Sequence, residues 1–207
     1  RVQNTEWYRW ETATGSILPI QFPQDRWAND VIKITIDGTV FANLYHSTGP
    51  YRGYVWTPSG GWITAGSSSL ILSGISNDGN TRVGMVNNQP VIWKTSTGVW
   101  ESMVGFDNVT VRINDISGNG LYTTGYFWDS QNDIFAFRWS NGSVEIMPGS
   151  DPDDEGLFIT DNGSILAYQR RPPGYITKYV WWSGSSVTNF YDILIQSGLH
   201  PNLIPVI

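Results

Sequence analysis

Apolar and polar positions alternate in short runs along the whole chain, the period-two signature of half-buried strands. The clearest stretch covers residues 74–103. There Asp78-Gly79, a dipeptide that accepts positive φ, marks a turn. Thr81 to Val86 then alternate as a strand, Pro90 to Trp93 form an aromatic-ended strand, Thr97-Gly98 turns again, and Val99 to Met103 close the unit. The same order of strand, Asx-Gly turn, strand, loop, aromatic strand, Gly turn and strand is predicted for residues 32–65, 112–147 and 157–194.

Two markers keep the repeat. The turn glycines Gly38, Gly79, Gly120 and Gly163 follow Asp37, Asp78, Asn119 and Asn162 and stand 41, 41 and 43 residues apart. Strands ending in Trp10, Trp56, Trp93, Trp139 and Trp181 recur at 46, 37, 46 and 42 residues. A period of about 40 to 50 residues built from four short strands is that of a β-propeller blade, whose faces are buried only against neighbouring blades. Residues 6–22 read as the second half of a unit and residues 199–207 as the opening strand of another. The expectation is therefore an all-β chain, one propeller domain over residues 1–207, five-bladed with one blade shared between the chain ends, which would remove exposed sheet edges. The start at Arg1, without Met or an apolar leader, fits a processed or excised piece.

Composition narrows the function. At 207 residues the chain is long enough for a sizeable core, and 11 Trp, 10 Tyr, 8 Phe and 22 Gly are β-rich usage. A net charge of −6 argues against nucleic acid and anionic membranes as partners, and no apolar run is long enough to insert as a helix. With no cysteine, thiolate chemistry and disulfides are excluded.

Little in the chain points to catalysis. A Ser-His-Asp triad would need His46, in a variable loop, or His200, in the tail, and neither a G-x-S-x-G elbow nor a P-loop is present. The remaining enzymatic alternative is a carboxylate-dependent glycoside hydrolase. Its candidates Glu6, Glu11, Glu101, Glu145 and Glu155 are scattered, while Asp37, Asp78 and Asp115 lie at or near turns where local backbone can occupy them. Ser76-Asn77-Asp78-Gly79 lacks the spacing of a sialidase Asp box. The acidic loop around Asp151, Asp153, Asp154 and Glu155 offers oxygen ligands that suit calcium, though not at EF-hand spacing; no other cofactor is suggested. The sequons at Asn108, Asn141 and Asn162 read as turn chemistry.

The aromatic excess is the main functional hint. The strand-end tryptophans, by their recurrence, are expected in the core. Trp62, Trp128 and Trp182, with Tyr51, Tyr126 and Tyr175, break the repeat or sit near loops, and are the candidates for stacking on sugar rings.

Asn77-Asp78-Gly79 with Val83-Gly84, and Asn119-Gly120 with Thr124-Gly125 and Phe135-Ala136-Phe137-Arg138-Trp139, resemble the HAF-type extracellular repeats of bacteria. The outer units depart from it, with Ala42 and Ala167 in place of the strand glycine. The resemblance implies a secreted or surface-exposed repeat protein. The reading that follows is a non-enzymatic extracellular or cell-surface module, whose repeated frame presents variable loops to a glycan or protein partner or builds a self-assembled surface structure.

Overall fold

The structure, a computed structural model, describes residues 7–11, 14–23, 26–35, 37–46, 49, 51–66, 69–149, 152–171 and 176–199. By its internal packing the chain divides into two compact units, residues 1–72 and 73–207.

The first unit opens with a hairpin of β1 (Trp7–Glu11) and β2 (Ser16–Ile20), paired Trp7 to Ile20 through Glu11 to Ser16. A four-stranded sheet follows, β3 (Arg26–Ile34), β4 (Val40–His46), β5 (Arg52–Thr57) and β6 (Gly61–Thr64), each strand antiparallel to the next. Three more sheets repeat that order: β7 (Leu70–Ile75) to β10 (Trp100–Ser102), with β8 (Thr81–Val86) and β9 (Gln89–Lys94) between; β11 (Thr110–Ile116), β12 (Thr123–Trp128), β13 (Ile134–Ser140) and β14 (Ser143–Ile146); and β15 (Glu155–Ile159), β16 (Ile165–Arg171), β17 (Ile176–Ser183) and β18 (Ser186–Asn189). The hairpin is thus the predicted half unit at residues 6–22, and the four-strand repeat holds in all four units. Each sheet starts a few residues before the predicted unit, because its first strand is longer than the alternation suggested. Of the predicted closing strand at 199–207, all but Leu199 lies outside the described residues.

One difference from expectation is the helix α1 (Phe190–Gln196) after β18. Asn189 caps it, its side chain accepting from the Tyr191 N–H at 3.0 Å, and Phe190, Ile193 and Leu194 fall at helical rather than strand spacing.

Four turns share one device that spans a serine or threonine as well as the Asx-Gly pair. The hydroxyls of Thr35, Ser76, Ser117 and Thr160 donate to the side-chain oxygen two residues on, in Asp37, Asp78, Asn119 and Asn162, at 2.5, 2.6, 2.7 and 2.5 Å. The glycine that follows has φ between 72° and 80°, which a side chain resists.

The second repeated device is a bulge. The first strand gains a residue between Val31 and Lys33, Ile113 and Asp115, and Gly156 and Phe158, opposite Ala42, Gly125 and Ala167. The backbone presses closely there: a Cβ on Gly125 would stand 2.0 Å from the Arg112 carbonyl oxygen. Ala42 and Ala167 fill the same position in their sheets, fully buried.

In the second unit the core lies between consecutive sheets. Val83, Met85 and Ile92 meet Val111, Ile113 and Phe137, and Ala136 and Met147 meet Ile165, Ala167 and Trp182. The strand-end tryptophans do not share one environment as the repeat implied. Trp139 is buried, but Trp56, Trp93 and Trp181 are half-buried, and Trp10 is 68% exposed on the outer face of the hairpin. In the last unit it is Trp182 that enters the core, because Ile165, its partner on β16, faces inward, whereas Trp181 pairs with Leu166 on the opposite face.

Candidate functional site

Tyr126 and Trp128 are alternate residues of β12 and therefore share a face. Their rings meet edge-to-face at 4.9 Å, both half-buried. Arg112 pairs with Tyr126 across β11. Glu155, at the start of β15, is close enough to act on the Tyr126 phenol, which is held above its ordinary value first by burial and then by that carboxylate, with Arg112 opposing. Glu155 itself is raised, chiefly by burial and further by Asp153, against the pull of Arg170. Arg170 donates toward the Tyr168 hydroxyl at 3.5 Å and lies 5.8 Å from its ring. Aromatic faces, a carboxylate and guanidinium groups thus gather in the second unit, at the ends of the strands remote from the Asx-Gly turns.

The other predicted residues disperse. Trp62 packs in the first unit against Trp7, Phe22 and Tyr54, and its Nε1 donates to the Gln21 carbonyl at 2.9 Å. Tyr51 packs on Tyr45, with ring centroids 4.6 Å apart and planes tilted by 31°. Trp182 has no accessible face for a sugar: it is fully buried, with Nε1 donating to Gly184 and the Arg138 guanidinium 4.7 Å from its ring centroid. Tyr175 lies outside the described residues.

The described acidic residues of the loop face different neighbours. Asp154, just before β15, is buried and accepts from Gln169 Nε2 at 3.2 Å, whereas Glu155, the first residue of β15, pairs with Tyr168. Asp153 sits at a turn with φ of 79°, and Asp151 lies outside the described residues. Among the described residues no three His, Asp or Glu side chains are grouped to hold a metal ion.

A second feature of this unit is an open cleft of about 340 Å³ lined by Tyr122, Arg138, Ser140, Ser143, Glu145, Asn162 and Gly184. Its cation is already committed. Arg138 donates to Glu145 through two nitrogens and to the Gly163 carbonyl at 2.8 Å.

No family model matches the chain, and no curated protein does. Solved structures do. The chain superposes on TolB from Acinetobacter baumannii with a TM-score of 0.58 at 16% identity, over 89% of this chain and 48% of that one. For a putative TolB from Agrobacterium tumefaciens the values are 0.58 and 16%, over 89% and 73%. For oligogalacturonate lyase from Vibrio parahaemolyticus they are 0.64 and 11%, over 89% and 58%. The fold is of the β-propeller type. This chain spans about half the length of the Acinetobacter TolB, and at such identities the likeness concerns fold alone. Each four-stranded sheet is accordingly a blade, β3, β7, β11 and β15 being the first strands.

Sequence reading missed Arg112 as a companion of Tyr126 and Arg170 as a companion of Glu155. A signal was available in the alternation along β12, which puts Tyr126 and Trp128 on one face, but the pairing of β11 with β12 supplies the arginine.

Proposed function

We propose that this chain is a non-enzymatic binding module acting outside the cell or at its surface, and that the Tyr126–Trp128 surface recognises a glycan. The observation that carries this reading is the paired aromatic side chains beside Arg112, Glu155 and Arg170. Aromatic faces stack on the apolar face of a pyranose, while carboxylate and guanidinium groups exchange hydrogen bonds with hydroxyls. The Tyr126–Trp128 pair combines partial exposure with charged neighbours.

Supporting it in a general way, the connections between second and third strands differ from blade to blade, from the two-residue Asn87-Asn88 turn to the segment at residues 129–133, while the strand frame repeats. A glycan array probed with the whole chain tests the proposal. Binding to one sugar class that falls at least tenfold in Tyr126→Ala and Trp128→Ala supports it. Silence on the array together with self-association by light scattering would favour a structural building block instead, and turnover of aryl glycosides abolished by Glu155→Gln would make the protein an enzyme.

A further inference from the structure

The first unit holds two cations that no acid pairs with among the described residues. Arg26 opens β3 and Arg52 opens β5, on either side of β4. Arg26 pairs with His46 and Arg52 with Leu44. Directly paired residues share a face, as do alternate residues of one strand, so Arg26, Arg52 and Tyr54 stand on the same face of this blade. The Arg26 guanidinium reaches across β4 and lies 5.1 Å from the centroid of the Tyr54 ring. Tyr54 is the next residue after Arg52 on that face.

Neither arginine is paired with an acid among the described residues, where the ion pairs are Arg9–Glu11 and Arg138–Glu145. Arg26 Nη1 and Arg52 Nε are moreover buried and donate to nothing. Arg138 shows what a satisfied counterpart looks like, since it stacks on Trp182 while Glu145 and the Gly163 carbonyl accept hydrogen bonds from it. Buried donors on a charged group are costly to leave open. Around them stand the apolar Leu44 and the ring of Tyr54, both buried. Residues 1–72 hold five basic and five acidic residues, so the first unit carries no net charge of its own.

We propose that Arg26 and Arg52 form a binding site for a carboxylate, with Tyr54 as its floor. The guanidinium fork matches a carboxylate in plane and spacing. A singly charged planar group also sheds its water more easily than a phosphate dianion, as entry beside Leu44 and Tyr54 demands. The carboxylate comes either from a free small acid or from an acidic sugar. The site belongs to the first unit and does not rest on the glycan reading.

Titration calorimetry and thermal shift of the whole chain at constant ionic strength, with acetate, D-glucuronate, D-glucose and inorganic phosphate, test this. Saturable binding of both carboxylates is expected, weakened at least tenfold in Arg26→Gln and Arg52→Gln and unchanged in Lys94→Gln. Tighter binding of glucuronate than of acetate identifies an acidic sugar; equal affinity identifies a free acid. Arg26→Lys, which keeps the charge but removes the fork, is expected to weaken binding as well. Absence of saturable carboxylate binding to the unaltered chain, phosphate binding as tight as carboxylate, or undiminished binding in folded Arg26→Gln and Arg52→Gln would each overturn the proposal.

Discussion

Asn119 holds Asp161 by two hydrogen bonds from one turn to the next: its backbone N–H donates to Asp161 Oδ1 at 2.7 Å, and its side-chain Nδ2 donates to the Asp161 carbonyl at 2.8 Å. These residues belong to the Asx-Gly turns of successive blades, so a repeat marker in one blade is read by a non-repeated residue in the next. Replacing Asp161 by Ala removes one acceptor and is expected to cost about 1 kcal/mol. Asp161→Asn keeps an oxygen there and is expected to cost less. Urea denaturation of the two variants checks the order.

Acid sensitivity should differ between blades. The carboxylates of Asp37 and Asp78 are held below their ordinary value of 3.8, first by the Thr35 and Ser76 hydroxyls and then by the backbone N–H groups of Thr39 and Asn80. A depressed folded pKa stabilises the protein above the unfolded value, and that stabilisation is lost as pH falls from about 4 through the folded pKa. Asn119 and Asn162 occupy the same place and do not titrate. In the double variant Asp37→Asn, Asp78→Asn, the melting temperature should accordingly fall less steeply between pH 5 and pH 2 than in the unaltered chain, a range set about the ordinary carboxylate value.

Glu155 should behave in the opposite sense. Its folded pKa is raised above 4.5, so the ionised form is disfavoured in the folded chain and stability is gained as pH falls through the folded value. Glu155→Gln is expected to melt higher than the unaltered chain at pH 7, with the difference shrinking toward pH 4. Melting curves by circular dichroism across that range would show it, and a lower melting temperature at pH 7 would contradict it.

The adjacent tryptophans of the last blade provide a contrast within one dipeptide. Trp182→Ala empties a fully buried site and is expected to cost about 3–5 kcal/mol. Trp181 is half-buried and stacks on Phe190 at 6.3 Å, so Trp181→Ala should cost markedly less. Chemical denaturation of the two variants separates them.

The frame of the fold was legible because it is periodic. Thr81 to Val86 is β8 residue for residue, and the four Asx-Gly turns stand where the spacing put them. What the alternation could not show was which of Trp181 and Trp182 faces inward, since that depends on the register against β16. Nor could it reveal α1, where the local cap at Asn189 outweighs the repeat. The candidate site was legible in part: Tyr126 and Trp128 share one face, whereas Trp62, read as another candidate for stacking on sugar, pairs with Trp56 and packs against Phe22. The arginines Arg26 and Arg52, with no acid beside them among the described residues, left no trace in the sequence, because which strands lie side by side decides an arginine's neighbours.

Gly118 has a Cβ-sized space already taken, with Asn77 Nδ2 2.3 Å and Asp161 Oδ1 3.0 Å from where that atom would be. Its carbonyl also accepts from the Asn77 N–H at 2.7 Å. The third turn is therefore shaped by the blades before and after it. Blades of this protein have been written to one template, yet they are not interchangeable: a recombination that duplicated or reordered them would bring Asn77 or Asp161 into the slot that Gly118 alone fits. The interlocked turns thus fix the order of the repeats, and growth or shrinkage of the array would have to proceed by adding or removing blades outside this trio.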